Sequence, residues 1–290
     1  MPRVIVARPS GFCFGVERAI RLARAGKQRF GRVATLGELV HNPLVLEELA
    51  AAGISAVHRP SEVKEGALVI RAHGCPPGVV GQCRRLGIQL IDATCPYVRK
   101  VQDVARRLKR QGYSVIVVGE RNHPEVQGIL AYCAGAGRVY TPRMRLKASR
   151  IGVVAQTTMA RDGFRAAVAT LARLRYTELR VFDTICKEVV ARQEAAARAA
   201  LEADLVVVVG GRNSANTARL AEIARVAGRE VILAERAELP DRARLSGCRT
   251  AAVVAGSSTP SWVVREIAEL VRNPGCADRK TRSRFKEDRN

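Results

Sequence analysis

The chain has 290 residues, 47% apolar and only 4% aromatic, with 49 Lys and Arg against 27 Asp and Glu for a formal net charge of +22. Val, Leu, Ile and Ala are ample for buried cores, but no apolar run approaches the roughly 20 residues that span a bilayer, and no signal peptide precedes the first strand, so a cytoplasmic protein with no membrane role is expected. The basic balance suits an acidic partner, yet no nucleic-acid motif and no aromatic interleaving accompany it, so nucleic acid is not expected as that partner.

An apolar strand opens the chain at 3–6 and runs through a Pro-Ser-Gly turn to Cys13. A helix over 14–26 follows, with Val16, Ala19, Ile20 and Ala23 on one face. A strand over 33–36 stops at Gly37, and a turn carries His41, Asn42 and Pro43 into a helix that ends at Gly53. Strands over 54–58 and 67–71 come next, the second ending at His73 and Gly74. A helix over 79–86 leads to a strand that delivers Cys95.

The order then repeats. A helix covers 97–111, a buried strand 114–118, and a turn holds His123 and Glu125. A helix to Cys133, a strand at 138–140, a strand at 151–155 running into Thr157 and Thr158, and a helix over 161–174 precede the strand that delivers Cys186. In the third pass a helix over 187–203 leads to a strand at 205–209, then Ser214 and Asn216, then a helix over 217–226. Strands at 230–233 and 250–254 follow, the latter ending at Ser257 and Ser258, and a helix over 262–272 closes the pass. Residues 273–290 are charged and poor in apolar groups, and read as a disordered basic tail.

The three strand-end cysteines are 82 and 91 residues apart, a period the size of a small α/β unit. The sequence therefore predicts an α/β fold of three pseudo-repeated units with mostly parallel sheets: 14–95, 96–185, and 186–272. The last of these lacks a strand, which the N-terminal segment 1–13 supplies. In parallel sheets, ligands bind beyond the carboxyl ends of the strands. The polar residues recur there: His41, His123, and Ser214 with Asn216 after one strand; His73, Thr157, and Ser258 after another; a cysteine after the last.

A lone strand-end cysteine is usually inert, but three at equivalent positions point to a metal centre with one vacant coordination position. Zinc with three thiolates and a water is one candidate. An iron–sulfur cluster with one open iron is the other, and ligands scattered over the chain favour it over a zinc ribbon. Helix caps such as the Asn-Ser-Ala-Asn and Ser-Ser-Thr-Pro segments are also anion sites.

The motifs Gly-Phe-Cys13-Phe-Gly-Val, Val-His41-Asn, Ala-His73-Gly, Asp-Ala-Thr-Cys95-Pro, His123-Pro-Glu125-Val, Gln-Thr157-Thr158, Cys186 with Arg192-Gln193, Asn-Ser214-Ala-Asn216 and Ala-Gly-Ser-Ser258-Thr-Pro occur in one order over about residues 3–272. In this the chain resembles the 4-hydroxy-3-methylbut-2-enyl diphosphate reductases (LytB/IspH) of the non-mevalonate isoprenoid route. The resemblance implies that Cys13, Cys95 and Cys186 hold a [4Fe–4S] cluster at the centre of the three units. It implies that His41, His73, Ser214, Asn216 and Ser258 bind the substrate diphosphate with His123 beside them, and that Glu125 delivers protons, supported by Thr157. An acidic ferredoxin or flavodoxin would supply the electrons, and a monomer is expected. The chain departs from the family pattern at Ala215, Val189, Arg99 and Gln102. A divergent paralogue reducing a related allylic diphosphate is the alternative, with a zinc hydrolase or lyase and a nucleic-acid-binding protein behind it.

Overall fold

Strands and helices alternate along the whole chain in the computed structural model, which describes residues 1–239 and 242–273. The tail predicted over 273–290 lies outside the described residues except for Asn273. The strands are β1 (Arg3–Val6), β2 (Val33–Leu36), β3 (Ile54–Val57), β4 (Ala67–Ile70), β5 (Gln89–Asp92), β6 (Ser114–Val118), β7 (Gly137–Val139), β8 (Arg150–Ala155), β9 (Glu178–Phe182), β10 (Leu205–Val209), β11 (Glu230–Ala234) and β12 (Thr250–Ala255). The helices are α1 (Phe14–Phe30), α2 (Pro43–Ala51), α3 (Pro77–Arg85), α4 (Pro96–Arg110), α5 (Pro124–Tyr132), α6 (Arg161–Leu171), α7 (Lys187–Glu202), α8 (Ala215–Val226) and α9 (Ser261–Arg272).

Three four-stranded sheets result, ordered β3-β2-β4-β5, β7-β6-β8-β9 and β11-β10-β12-β1. Every pairing is parallel. The three orders are the same when each sheet is counted from its own first strand. The fourth place in the last sheet is filled by β1, which pairs with β12 from Arg3↔Thr250 to Val6↔Val253. The fold is thus α/β with three parallel-sheet units, as the repeat predicts.

By packing, the chain divides into two compact units. One comprises residues 1–12, 41–44 and those from 191 onward, and contains the β10–β12 sheet. The other comprises 13–40 and 45–190, and contains the remaining two sheets. In the first, Val207, Val209 and Val253 of the sheet pack on Val263, Ile267 and Val271 of α9. The opposite face, Val206, Val208 and Val254, packs on alanines of α7 and on Leu220, Ala221 and Ala224 of α8. Both faces are covered, which is why β10 reads as five unbroken apolar residues instead of alternating.

In the second unit, α4 buries Val98, Val101, Val104, Ala105 and Leu108 at helical spacing and turns its Arg and Lys residues outward. Leu108 sits directly over Gly152 of β8, where a Cβ would approach it to 2.7 Å. Gly112, at φ +80°, ends that helix in a left-handed conformation that leads straight into β6.

Two boundaries differ from the sequence reading in ways that matter. The α8 helix begins at Ala215, earlier than predicted, because the Ser214 side chain caps it by accepting from Thr217 N at 3.4 Å. Asn216 therefore lies in a helical first turn, not in a loop. The α6 helix stops at Leu171, since Arg173 and Leu174 close tight turns onto Thr170 and Leu171. Among the described residues no helix is long and apolar enough to cross a membrane.

Candidate functional site

The predicted site residues fall in both compact units. The second unit carries Cys13, Cys95, Cys186, His73, His123, Glu125 and Thr157; the first carries His41, Ser214, Asn216 and Ser258.

Each of the three cysteines stands at a helix N-terminus. The Cys13 carbonyl accepts from Glu17 N at 3.0 Å, the Cys95 carbonyl from Arg99 N at 2.9 Å, and the Cys186 carbonyl from Val190 N at 3.0 Å. Each cysteine thus stands at the positive end of a helix dipole, and first-turn N–H groups reach the sulfurs of Cys95 and Cys186. The turns that deliver two of them are built alike. Asp92 Oδ1 accepts from Thr94 N at 2.9 Å, and Asp183 Oδ1 accepts from Ile185 N at 3.1 Å, each just ahead of its cysteine. Cys95 N then donates to Ala72 O and Cys186 N to Thr157 O, both at 2.9 Å, so each cysteine is tied to the loop after the neighbouring strand.

Glycine at position 15 lets two of these sulfurs approach one another. A Cβ there would stand 2.7 Å from Cys95 Sγ and 3.9 Å from Cys13 Sγ, so both sulfurs flank one point. Burial holds the Cys95 thiol above its usual range. The N–H groups of Tyr97 and Val98 favour the thiolate, while Cys13 and Cys186 lie close enough to oppose it. Burial also raises Cys186, against the N–H groups of Val189 and Glu188 and with the charges of Glu188 and Glu125 adding to the rise. Crowded thiols at helix N-termini resist ionisation together until a cation sits among them, and this is the electrostatic character of a metal-thiolate site. Burial alone pushes Cys133 up to about 11, and burial is also the main cause of the rise of Cys75 to about 12.

Glu125 lies in the first turn of α5 and is 1% exposed. Its carboxylate accepts from Thr157 N at 2.7 Å and from Thr157 Oγ1 at 2.8 Å. Burial nonetheless dominates, and its pKa rises to about 7. A carboxyl group that titrates near neutrality can keep and then give up a proton at physiological pH. His123 caps the same helix, with Nδ1 accepting from Glu125 N at 3.2 Å. That bond leaves the ring proton on Nε2 as a donor. The His73 ring meets the His123 ring edge-on, with centroids 5.5 Å apart. Gly74, at φ +75°, turns the chain just after His73, and a Cβ there would come within 2.4 Å of Gln102 Nε2.

In the first unit, Ser214 caps α8 and Asn216 follows in its first turn, 2% exposed. Neither Nδ2 nor Oδ1 of Asn216 has a hydrogen-bond partner among the described residues. Burying an amide in that condition costs about 1–3 kcal/mol per group, so the fold does not explain its presence. Ser258 Oγ donates to His41 O at 3.1 Å. Gly211 makes room for the same turn, since a Cβ there would stand 2.5 Å from His41 O.

Several residues of these sites carry no role in the sequence reading. Gln156 joins the ends of β6 and β8, accepting from Glu120 N at 2.9 Å and donating to Thr158 Oγ1 at 2.7 Å. Asp92 and Asp183 were detectable in principle, since an aspartate three residues before the cysteine recurs in two of the three copies. Arg18, on α1, gave no such signal.

A profile of the LytB protein family matches residues 4–272. The 4-hydroxy-3-methylbut-2-enyl diphosphate reductase of Geotalea daltonii is 38% identical over 277 residues, which cover 93% of this chain and 97% of that protein. A solved structure of (E)-4-hydroxy-3-methyl-but-2-enyl diphosphate reductase, the terminal enzyme of the non-mevalonate pathway, aligns with a TM-score of 0.68 at 36% identity, covering 94% of this chain and 99% of that one. A reductase structure from Plasmodium falciparum aligns with a TM-score of 0.88 at 24% identity, covering 94% and 89%, a likeness of fold alone.

Proposed function

The chain belongs to the LytB family, that of the 4-hydroxy-3-methylbut-2-enyl diphosphate reductases, and from that premise we propose that it reduces 4-hydroxy-3-methylbut-2-enyl diphosphate. Two electrons and two protons replace the allylic hydroxyl by hydrogen, releasing water and yielding isopentenyl and dimethylallyl diphosphate. The observation that carries the reading is the crowding of thiols at helix N-termini, with the sulfurs of Cys13 and Cys95 flanking Gly15 and Cys186 close enough to affect Cys95.

The donor set suits a [4Fe–4S] cluster. On this reading Cys13, Cys95 and Cys186 hold it. When bound it supplies electron storage and one Lewis-acidic iron with a position open to the alcohol oxygen. The protein's own groups do the rest. Glu125, poised near neutrality by burial, holds the proton the departing hydroxyl needs, and Thr157 fixes the orientation of its carboxyl. His41, His73, Ser214, Asn216 and Ser258 take the diphosphate, with His123 presenting Nε2–H beside them. The unpartnered amide of Asn216 suits a ligand oxygen. The electrons come from an external acidic carrier of the ferredoxin or flavodoxin type, which a chain of net charge +22 would attract.

The test is an anaerobic assay of the iron- and sulfide-reconstituted chain with this diphosphate and a chemical reductant. Both five-carbon diphosphates are expected as products. Zinc without iron or sulfide in anaerobically purified protein, or a loaded chain that binds the substrate and leaves its hydroxyl in place, would overturn the reading.

A further inference from the structure

Cys13 and Cys95 are 82 residues apart and end different strands. A cluster can bridge such ligands only if something holds them near each other before it arrives, or if it draws them together as it enters. The Cys95 turn has a lock of its own: Asp92 Oδ1 accepts from Thr94 N, and Asp92 Oδ2 pairs with Arg99 on α4. That lock spans residues 92–99 only. It does not reach Cys13.

Arg18 does. It lies on α1, five residues after the cysteine that caps this helix. Its Nη1 donates to Thr94 O at 3.2 Å and its Nη2 to Asp92 O at 3.4 Å. One planar fork on the Cys13 helix thus holds two carbonyls of the turn that delivers Cys95. Gly15, one turn earlier on α1, makes room for Cys95, since a Cβ there would lie 2.7 Å from Cys95 Sγ. The glycine permits the approach and the arginine fastens it. A guanidinium can hold two acceptors at fixed separation, whereas a lysine ammonium on its flexible stem cannot match that geometry. Arg18 makes no ion pair among the described residues.

We propose that Arg18 is a positioning residue for the thiol set: it holds Cys13 and Cys95 at ligand spacing in the metal-free chain, so that the cluster enters a preformed site and is retained there. The proposal rests on the reading that these cysteines ligate a cluster. Groups that orient metal ligands without touching the metal typically contribute tenfold to a hundredfold in metal affinity, and Arg18 is assigned an effect of that size. Its charge makes a second, separable contribution, because a nearby cation favours the more negative, reduced state of the centre.

The experiment compares wild type with R18M, which keeps the apolar stem and loses the fork, and R18K, which keeps the charge and loses the double contact. Metal-free protein is titrated anaerobically with Co(II), read by its thiolate charge-transfer absorbance. In parallel, protein reconstituted with ferrous iron and sulfide is exposed to a chelator, and the decay of cluster absorbance is timed. R18M should bind Co(II) tenfold to a hundredfold more weakly and lose its cluster faster by a similar factor, while the thermal midpoint of the metal-free chain stays within a few degrees of wild type. R18K should also lose its cluster faster, yet keep a reduction potential near that of wild type, while the potential of R18M moves to a more negative value. Equal Co(II) affinity and equal cluster lifetime in wild type and R18M would overturn the proposal. Should R18M fail to fold, equal affinity and lifetime in R18K would do the same. If wild type itself takes up neither Co(II) through thiolates nor iron and sulfide, the cluster reading fails instead, a result distinguishable from the first.

Discussion

Replacing Glu125 by glutamine tests the buried carboxyl by a route that needs neither substrate nor cluster. Glutamine keeps the shape, its carbonyl can still accept from Thr157 N, and its amide can still reach Thr157 Oγ1. What it loses is the ability to ionise. Burial raises Glu125 from 4.5 to about 7, so between those values the folded chain keeps a proton that the unfolded chain has released. Stability must therefore fall as pH rises through that window and stay level above it. The gap of about 2.5 pH units corresponds to about 3 kcal/mol at pH 8 and less than about 1 kcal/mol at pH 5. The E125Q variant has no such dependence at this position. Urea unfolding of both metal-free proteins should show the variant gaining about 2 kcal/mol on wild type between pH 5 and pH 8, and in a separate assay the reconstituted variant should be about 10²–10⁴-fold less active for want of the proton. Unfolding curves that keep a constant separation across that range would refute the claim that Glu125 is protonated in the folded protein near neutrality.

Three further outcomes follow from the geometry. Serine at Cys13, Cys95 or Cys186 should abolish iron and sulfide uptake in each case, while C75S, at a thiol that burial pushes up to about 12 and that the repeat does not place among the ligands, should leave it intact; visible absorbance after anaerobic reconstitution reads both. The G15A variant places a methyl 2.7 Å from Cys95 Sγ and should lower iron per chain to less than half without shifting the thermal midpoint of the metal-free protein; full loading would refute it. Asn216 makes no side-chain hydrogen bond among the described residues, so N216A should leave the thermal midpoint unchanged or raise it by a few degrees and weaken diphosphate binding about tenfold, as isothermal titration would show.

Much of the fold was legible because the repeat is carried by strongly patterned segments. Runs such as Leu205–Val209 can be little else than buried parallel strands, and a cysteine after the fourth strand of each unit gave the period. His41, His123 and Asn216 lie just after β2, β6 and β10, where the strand-end rule puts polar residues, whereas Glu125 was singled out only by the family resemblance. Less legible was which of those residues belong to helices. The cap that makes Asn216 helical is one serine hydroxyl, and the sequence reads equally well as a loop. Arg18 was invisible for a different reason. In sequence it is one of many arginines on amphipathic helices, and only the tertiary approach of α1 to the turn after β5 gives it two carbonyls to hold. Contacts 74 and 76 residues apart leave no local trace.

Where these units are locally unsatisfied is informative in itself. Proteins tolerate a buried carboxyl group or a buried amide without partners only where something other than folding selects for it. Glu125 and Asn216 are both nearly inaccessible, one with its ionisation suppressed and the other with neither amide atom bonded among the described residues. Each sits in the first turn of the helix after an equivalent strand, α5 after β6 and α8 after β10. An apolar residue at 216 would gain stability, whereas at 125 it would leave Thr157 N and Oγ1 without their acceptor. On the proposed function, this one topological position holds a proton in one copy of the repeat and a ligand anion in the other. N216L should therefore stabilise the metal-free chain and act on function through a raised KM, whereas E125L strands the two Thr157 donors and so gains no stability, and acts through a lowered kcat at unchanged KM. A lowered kcat at unchanged KM in N216L would break that division of labour.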